Sequence, residues 1–395
     1  MDDKILIAGA HIVNEGLVFE GSVLVEKDRI SKIIRQDEDP PISGFRDIPV
    51  IDARGKFLIP GVIDDQVHFR DPGLTYKGDL FTESRAAVAG GITSFMDMPN
   101  TDPKTVTLDL LEKKFELASR KSLANYSFFL GATNDNLAEL EKADPGKICG
   151  IKVFMGASTG NMLVDDPDTL SAIFKQSKLI IAIHSEDEGI IRHNLNAFMK
   201  QYEEKIPVTS HPYIRSEEAC YKSTLKAVDL ARKYGTRLHI LHLSTARELE
   251  LLDNPGMLKD KKITAEVCIQ HLWFDERDYA ALGSKIKWNP AIKKESDKNA
   301  LFQALLDDRV DIIATDHAPH TLEEKQQPYL TCPSGGPMVQ HSLVAMLEFF
   351  HRGKISMEKI VEKIFLFFHR QQLYFPQKGL DILYPHFELA FGFFQ

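Results

Sequence analysis

Pro60-Gly-Val-Ile-Asp-Asp-Gln-Val-His-Phe-Arg-Asp-Pro-Gly73 reads as a short buried strand over 61–67 that runs straight into a polar loop. Side chains alternate along a strand, so Gln66 and His68 point the same way and Arg70 follows just beyond them. Polar or metal-capable groups at i and i+2 on a strand end suit the mouth of a barrel. Taken alone, one satisfied histidine on a strand explains the pattern equally well, so the other strand ends have to decide.

Working outward, residues 4–59 alternate strand-like runs (Ile5–Ala8, Ser22–Val25, Ile30–Ile34, Phe57–Ile59) with turn chemistry at Glu15-Gly16 and Lys27-Asp28. From residue 60 apolar strands alternate with helical patterns, the mark of a parallel sheet. Eight strand segments stand out: 61–67, 91–96, 125–131, 148–154, 179–184, 237–243, 262–269 and 310–315. Helical patterns include 108–122 and 216–234, the latter stopped by Gly235. Eight strands with intervening helices fit a (β/α)8 TIM barrel better than an open doubly wound sheet. The expected fold is therefore α/β: a small N-terminal β-sandwich-like domain at 1–59, a barrel over 60–364 and a tail at 365–395.

Composition sets the class. Hydrophobic content of 43% and charged content of 27% are those of a soluble globular protein. A formal net charge of −9 argues against a nucleic-acid partner. Cys149, Cys220, Cys268 and Cys332 form no Cys-x-x-Cys pair, which suits a reducing cytosol. The acidic start Met1-Asp-Asp-Lys lacks a secretory apolar core, and no apolar run reaches membrane-spanning length. A cytoplasmic protein with no membrane partner is expected.

A barrel places its active site at the C-terminal ends of its strands. There the sequence has His68 and Arg70, Asn100, Lys152, His184, His242 and Asp316, each closing an otherwise apolar run. Any one of them could be a hydrogen-bonded core group, but their recurrence on one face argues for a site. Imidazoles and a carboxylate are good zinc ligands. A lysine among them repels a cation unless carbon dioxide carboxylates it to a carbamate able to bridge two metals. The bland alternative pairs Lys152 with a carboxylate such as Asp316. Bridged metals lower the pKa of a shared water, and Asp316 could then shuttle the proton as general base and acid. His239, three residues from His242, is expected to face the helices. His271 stays open, as does Ser334-Gly-Gly-Pro337, which suits either a close approach to ligand or a plain turn.

The arrangement resembles the amidohydrolase superfamily, and the local motifs are similar to those of dihydroorotases. These motifs are His68-Phe-Arg70-Asp-Pro-Gly, Met98-Pro-Asn100, Ile151-Lys-Val-Phe, His239-Ile-Leu-His-Leu-Ser-Thr245, Lys287-Trp-Asn-Pro290 and Ala314-Thr-Asp-His-Ala-Pro-His320, in family order over about residues 50–350. The resemblance implies reversible, zinc-dependent hydrolysis of the dihydroorotate ring amide to N-carbamoyl-L-aspartate in pyrimidine biosynthesis. It implies one or two Zn2+ per chain, one held by His68, Lys152 and Asp316, the other by Lys152, His184 and His242. Arg70, Asn100 and His320 would hold the substrate carboxylate, and Asn289 would seat the ring. It also implies a homo-oligomer or a complex with aspartate transcarbamoylase.

Two departures from the family pattern stand out. Gln66 occupies the first position of the family's strand-1 His-x-His, and a neutral amide is a poor zinc ligand. In the family a C-terminal segment returns to complete the small β-domain. Residues 365–395 carry 8 of the chain's 24 phenylalanines and no such strand, as a changed reading frame or a truncation would give. Two alternatives follow: an impaired dihydroorotase-like subunit supporting a partner, and a hydantoinase-like cyclic amidase. Against the latter, a substrate without a carboxylate leaves Arg70, Asn100 and His320 no purpose.

Overall fold

The computed structural model describes residues 4–36, 48–156, 162–252, 258–369 and 392–394. The small domain is built from β1 (Lys4–Asn14), β2 (Leu17–Glu26), β3 (Arg29–Arg35), β4 (Val50–Asp52) and β5 (Phe57–Ile59). β1, β2 and β3 form an antiparallel meander, while β4 and β5 pair parallel to β1. Alternation gives the sheet two apolar faces, Leu6, Ala8, Leu24 and Ile34 on one and Ile7, Val23 and Leu58 on the other. The β1–β2 register slips between Ile7 and Ala10, where Gly9 takes φ +71 and a Cβ would meet Arg54 Cγ at 2.6 Å.

Eight parallel strands follow: β6 (Val62–Val67), β7 (Ile92–Asp97), β8 (Asn125–Gly131), β9 (Gly150–Phe154), β10 (Ile181–His184), β11 (Leu238–Ile240), β12 (Ile263–Cys268) and β13 (Ile312–Ala314). They are hydrogen-bonded in chain order, β6 through β13. A parallel bridge between Val67 and His317 closes the ring, with the His68 amide donating to His317 O at 2.7 Å. Lower on the same seam, Asp64 accepts from the Thr315 amide at 3.2 Å and from its hydroxyl at 2.5 Å. All eight predicted strands are thus present.

The helices pack outside the ring with readable signals. Helix Glu217–Tyr234 starts at Ser216, whose side chain accepts from the Ala219 amide, and ends at Gly235 with φ +69. It buries Ala219, Cys220, Ser223, Ala227 and Ala231 at helical spacing. Among the described residues no helix is long and apolar enough to cross a membrane.

Two expectations need correction. Helix Met357–His369 runs past Ile364, and the tail supplies one short strand, β14 (Gly392–Phe394), antiparallel to β5. No strand was expected there, because a three-residue apolar run carries no alternation to read. The intervening residues, 370–391, lie outside the described ones. His239 faces the barrel interior, since its Nε2 lies 3.2 Å from Asp65 on β6, a strand not adjacent to β11. The alternation from His239 to His242 fails because β11 stops at Ile240 and His242 turns at φ +40.

The seam makes a pH prediction. Burial pushes the Asp64 carboxyl up to about 7, so its contribution to stability is full below its ordinary value and is lost as pH rises toward 7. Asp64→Asn keeps the Thr315 contacts without the titration. Its melting temperature relative to wild type should climb between pH 4 and 8 in thermal denaturation; parallel curves would mean that Asp64 does not titrate in this range.

Candidate active site

The strand ends converge on one cavity of about 210 Å³. β6 supplies Gln66 and, just beyond, His68 and Arg70; Asn100 follows β7. Lys152 lies within β9, His184 closes β10, His242 follows β11, and Asp316 and His320 follow β13. Asn289 comes from the segment after β12. All nine residues given a site role from the sequence line this cavity, as does Gln66, beside Phe154, Trp288 and Pro333–Gly335. Arg70, His242 and Asp316 take φ of +64, +40 and +44. L-residues seldom adopt that left-handed region, and it persists only where the surroundings enforce it.

The metal-capable atoms form two groups. In one, His184 Nδ1 and His242 Nε2 face each other at 3.0 Å, and His242 Nδ1 is buried with no hydrogen-bond partner among the described residues. In the other, Asp316 Oδ1 lies 3.1 Å from His68 Nε2 and accepts from Gln66 Nε2 at 3.2 Å. A carboxylate only accepts, so the Gln66 amide nitrogen is the atom that faces it. Fully buried Lys152 sits 4.7 Å over the Phe154 ring. Burial lowers its amine to about 8, against the pull of Asp316 and Glu266. At pH 7 about a tenth of such an amine is neutral, against well under a thousandth for an ordinary lysine. These residues fit a divalent cation: neutral imidazoles, a carboxylate and a deprotonatable amine around a cavity.

Support for the first group escaped the sequence analysis. His184 Nε2 meets Glu186 Oε2 at 3.0 Å, and Arg215 clamps the same carboxylate at 2.5 Å through Nη2 and 3.0 Å through Nε. Burial opposes the Glu186 charge, but Arg215 and His184 hold its carboxyl well below the usual range. Burial also lowers His184 despite Glu186, favouring the neutral ring a metal needs. His184-Ser-Glu186 was a legible i, i+2 pair. Arg215, 29 residues away, carried no sequence signal.

The opposite wall is cationic. Arg70 Nε donates to Pro319 O at 3.2 Å and Nη2 lies 3.0 Å from His320 Nε2. Among the described residues no carboxylate is ion-paired with this guanidinium, although its residue is only 7% exposed. Lys77 stands 3.1 Å from His320 Nδ1. Burial, then the charges of Arg70 and Lys77, hold His320 down to about 3, so the ring is neutral. Asn100 Oδ1 accepts from His68 Nδ1 at 2.7 Å.

The open motifs are settled by packing. At Gly335 (φ +130) a Cβ would meet Ala318 O at 2.6 Å, and at Gly336 one would meet the Trp288 ring at 2.4 Å. Buried Lys325 fixes this loop by donating to Lys287 O, Pro333 O and Gly335 O. His271 Nε2 donates to Pro290 O at 3.1 Å and lies outside the cavity lining.

A model of the amidohydrolase family matches residues 57–363, more than three-quarters of the chain. The chain belongs to the amidohydrolase family. A dihydroorotase of Methanosarcina mazei is 32% identical over 366 residues, covering 89% of this chain and 78% of that protein. A dihydroorotase of Pediococcus pentosaceus is 33% identical over 328 residues, covering 82% and 73%. Among solved structures, an L-hydantoinase (dihydropyrimidinase) from Arthrobacter aurescens superposes with a TM-score of 0.85 at 25% identity, covering 96% of this chain and 85% of that one. This amidohydrolase is a hydrolase of cyclic amides.

Removing one member of a buried ion pair strands the other. Arg215→Met should lower unfolding free energy by about 3–5 kcal/mol in urea denaturation. A loss below about 1 kcal/mol would mean that the Glu186 carboxylate has another partner.

Proposed function

We propose that this amidohydrolase reversibly hydrolyses the ring amide of dihydroorotate to N-carbamoyl-L-aspartate, a step of pyrimidine synthesis, at a zinc centre. The carrying observation is the buried Arg70 guanidinium on the cavity wall, with no carboxylate ion-paired to it among the described residues. A charge so placed is costly unless a ligand anion completes it, and a guanidinium fork matches a carboxylate. Hydantoin and dihydropyrimidine rings carry no such group, which separates this reading from the activity in the name of the A. aurescens protein.

Lys152, His184, His242, His68 and Asp316 would hold the metal, with Lys152 carboxylated; its lowered amine favours the neutral form that reacts with carbon dioxide. A bound divalent metal supplies an activated water at neutral pH. Arg70, the Asn100 amide nitrogen and neutral His320 grip the carboxylate and orient the ring, while Asn289 seats it. Asp316 takes the proton of the attacking water and returns it to the leaving ring nitrogen. The reading extends to a cytoplasmic location and to assembly as a homo-oligomer or with aspartate transcarbamoylase, the company that the resemblance implies.

Gln66 favours a second reading, an impaired subunit. Against it, the Gln66 amide nitrogen braces Asp316, and the other five metal-capable side chains all line the cavity.

Arg70→Lys keeps the charge and loses the two-pronged geometry, so kcat/KM for dihydroorotate should fall by about 10- to 100-fold. Unchanged steady-state constants would remove Arg70 from the carboxylate site. Asp316→Asn should lower kcat by about 10²–10⁴ while elemental analysis still finds metal. A loss under about tenfold would take the proton shuttle away from Asp316.

A further inference from the structure

Beneath the cavity the barrel interior holds a second charged cluster that the proposed reaction leaves unused. His239 Nε2 lies 3.2 Å from Asp65 Oδ2 and 3.3 Å from Glu266 Oε2, all three residues being at most 2% exposed. His239 Nδ1 meets Thr264 Oγ1 at 2.9 Å, and that hydroxyl donates to Leu238 O, so the ring nitrogen is the donor to it. With Nε2 facing two carboxylates and Nδ1 donating, the ring is an imidazolium that ties β6 to β12 across the barrel. By residue type the three could ligate a cation. Their facing atoms are already matched as donor to acceptors.

The other oxygen of Glu266 reaches upward. Oε1 accepts the backbone amide of His242 at 2.9 Å. That amide lies past the end of β11, where among the described residues no strand carbonyl accepts it, and His242 there turns at φ +40. The next amide, Leu243 N, returns to Glu266 O at 3.0 Å. One residue therefore secures both sides of the turn that sends His242 into the cavity.

We propose that Glu266 is a positioning residue for the metal centre. Its carboxylate, fixed from below by His239, which Asp65 pairs in turn, replaces the missing strand partner of the His242 amide and holds the left-handed turn that aims this imidazole at His184. The inference rests on the reading of His242 as a metal ligand.

Two conservative variants separate this role from that of a plain ion pair. Glu266→Gln keeps an oxygen at the reach of Oε1 and loses the charge. Glu266→Asp keeps the charge and withdraws the acceptor by one methylene. The zinc dissociation constant of each purified protein is measured by chelator competition, with no substrate present. The positioning role predicts affinity within about threefold of wild type for Glu266→Gln and a loss of about 10- to 100-fold for Glu266→Asp. The reverse order, or equal affinities for both variants, overturns it in favour of an ion network that only stabilises the barrel. Absence of zinc binding by wild type overturns both this inference and the metal reading, and wild type alone reveals that case.

Discussion

Closure of the barrel between its first and last strands is the constraint on which the site depends. Gln66 and His68 meet Asp316 only because β6 and β13 are joined edge to edge, 250 residues apart in the chain. The join is made by the Val67–His317 bridge and by Asp64, whose carboxylate occupies the Thr315 amide and hydroxyl at once. A buried carboxyl is an expensive way to close a sheet. It sits directly below the Asp316 turn at φ +44, where the Thr315 amide and hydroxyl and the His317 amide are all engaged.

Charge is then layered along the barrel axis and across its mouth. Asp65, His239 and Glu266 form the floor, where hydrogen bonds to two carboxylates raise His239 to about 9 although burial works against the charge. Burial, followed by the charge of Asp65, pushes Glu266 up. The imidazoles and Lys152 stand above it, with Arg70 on one wall. On the proposed reading a cation would find its ligands beside Asp316 and an anionic substrate its partner at Arg70. Behind Arg70, the neutral ring of His320 separates this guanidinium from Lys77, whose charge Glu324 pairs at 2.9 Å.

Much of this was legible in the sequence because the signals were local. Apolar runs such as Ile181–His184, ending in one polar residue, marked both the strand and its active end. Gly235 marked the end of a helix by its capping chemistry. What escaped was non-local or conformational. The salt bridge of Glu186 with Arg215, and the reach of Glu266 to the His242 amide, join separate elements without a sequence spacing to read. The inward turn of His239 was misread because alternation was carried past Ile240, where the strand had already ended. The strand at Gly392–Phe394 was missed because three residues are too few to show a period.

The central claim is that the unpaired Arg70 makes this cavity select a ring bearing a carboxylate. The most direct test compares kcat/KM of the wild-type, zinc-loaded protein for dihydroorotate and for dihydrouracil, the same ring without that group. A site built around a buried ion pair should reject the truncated ring by at least about 100-fold. Equal or faster turnover of dihydrouracil would contradict the account, assigning the cavity to uncharged cyclic amides and leaving Arg70 without its proposed role.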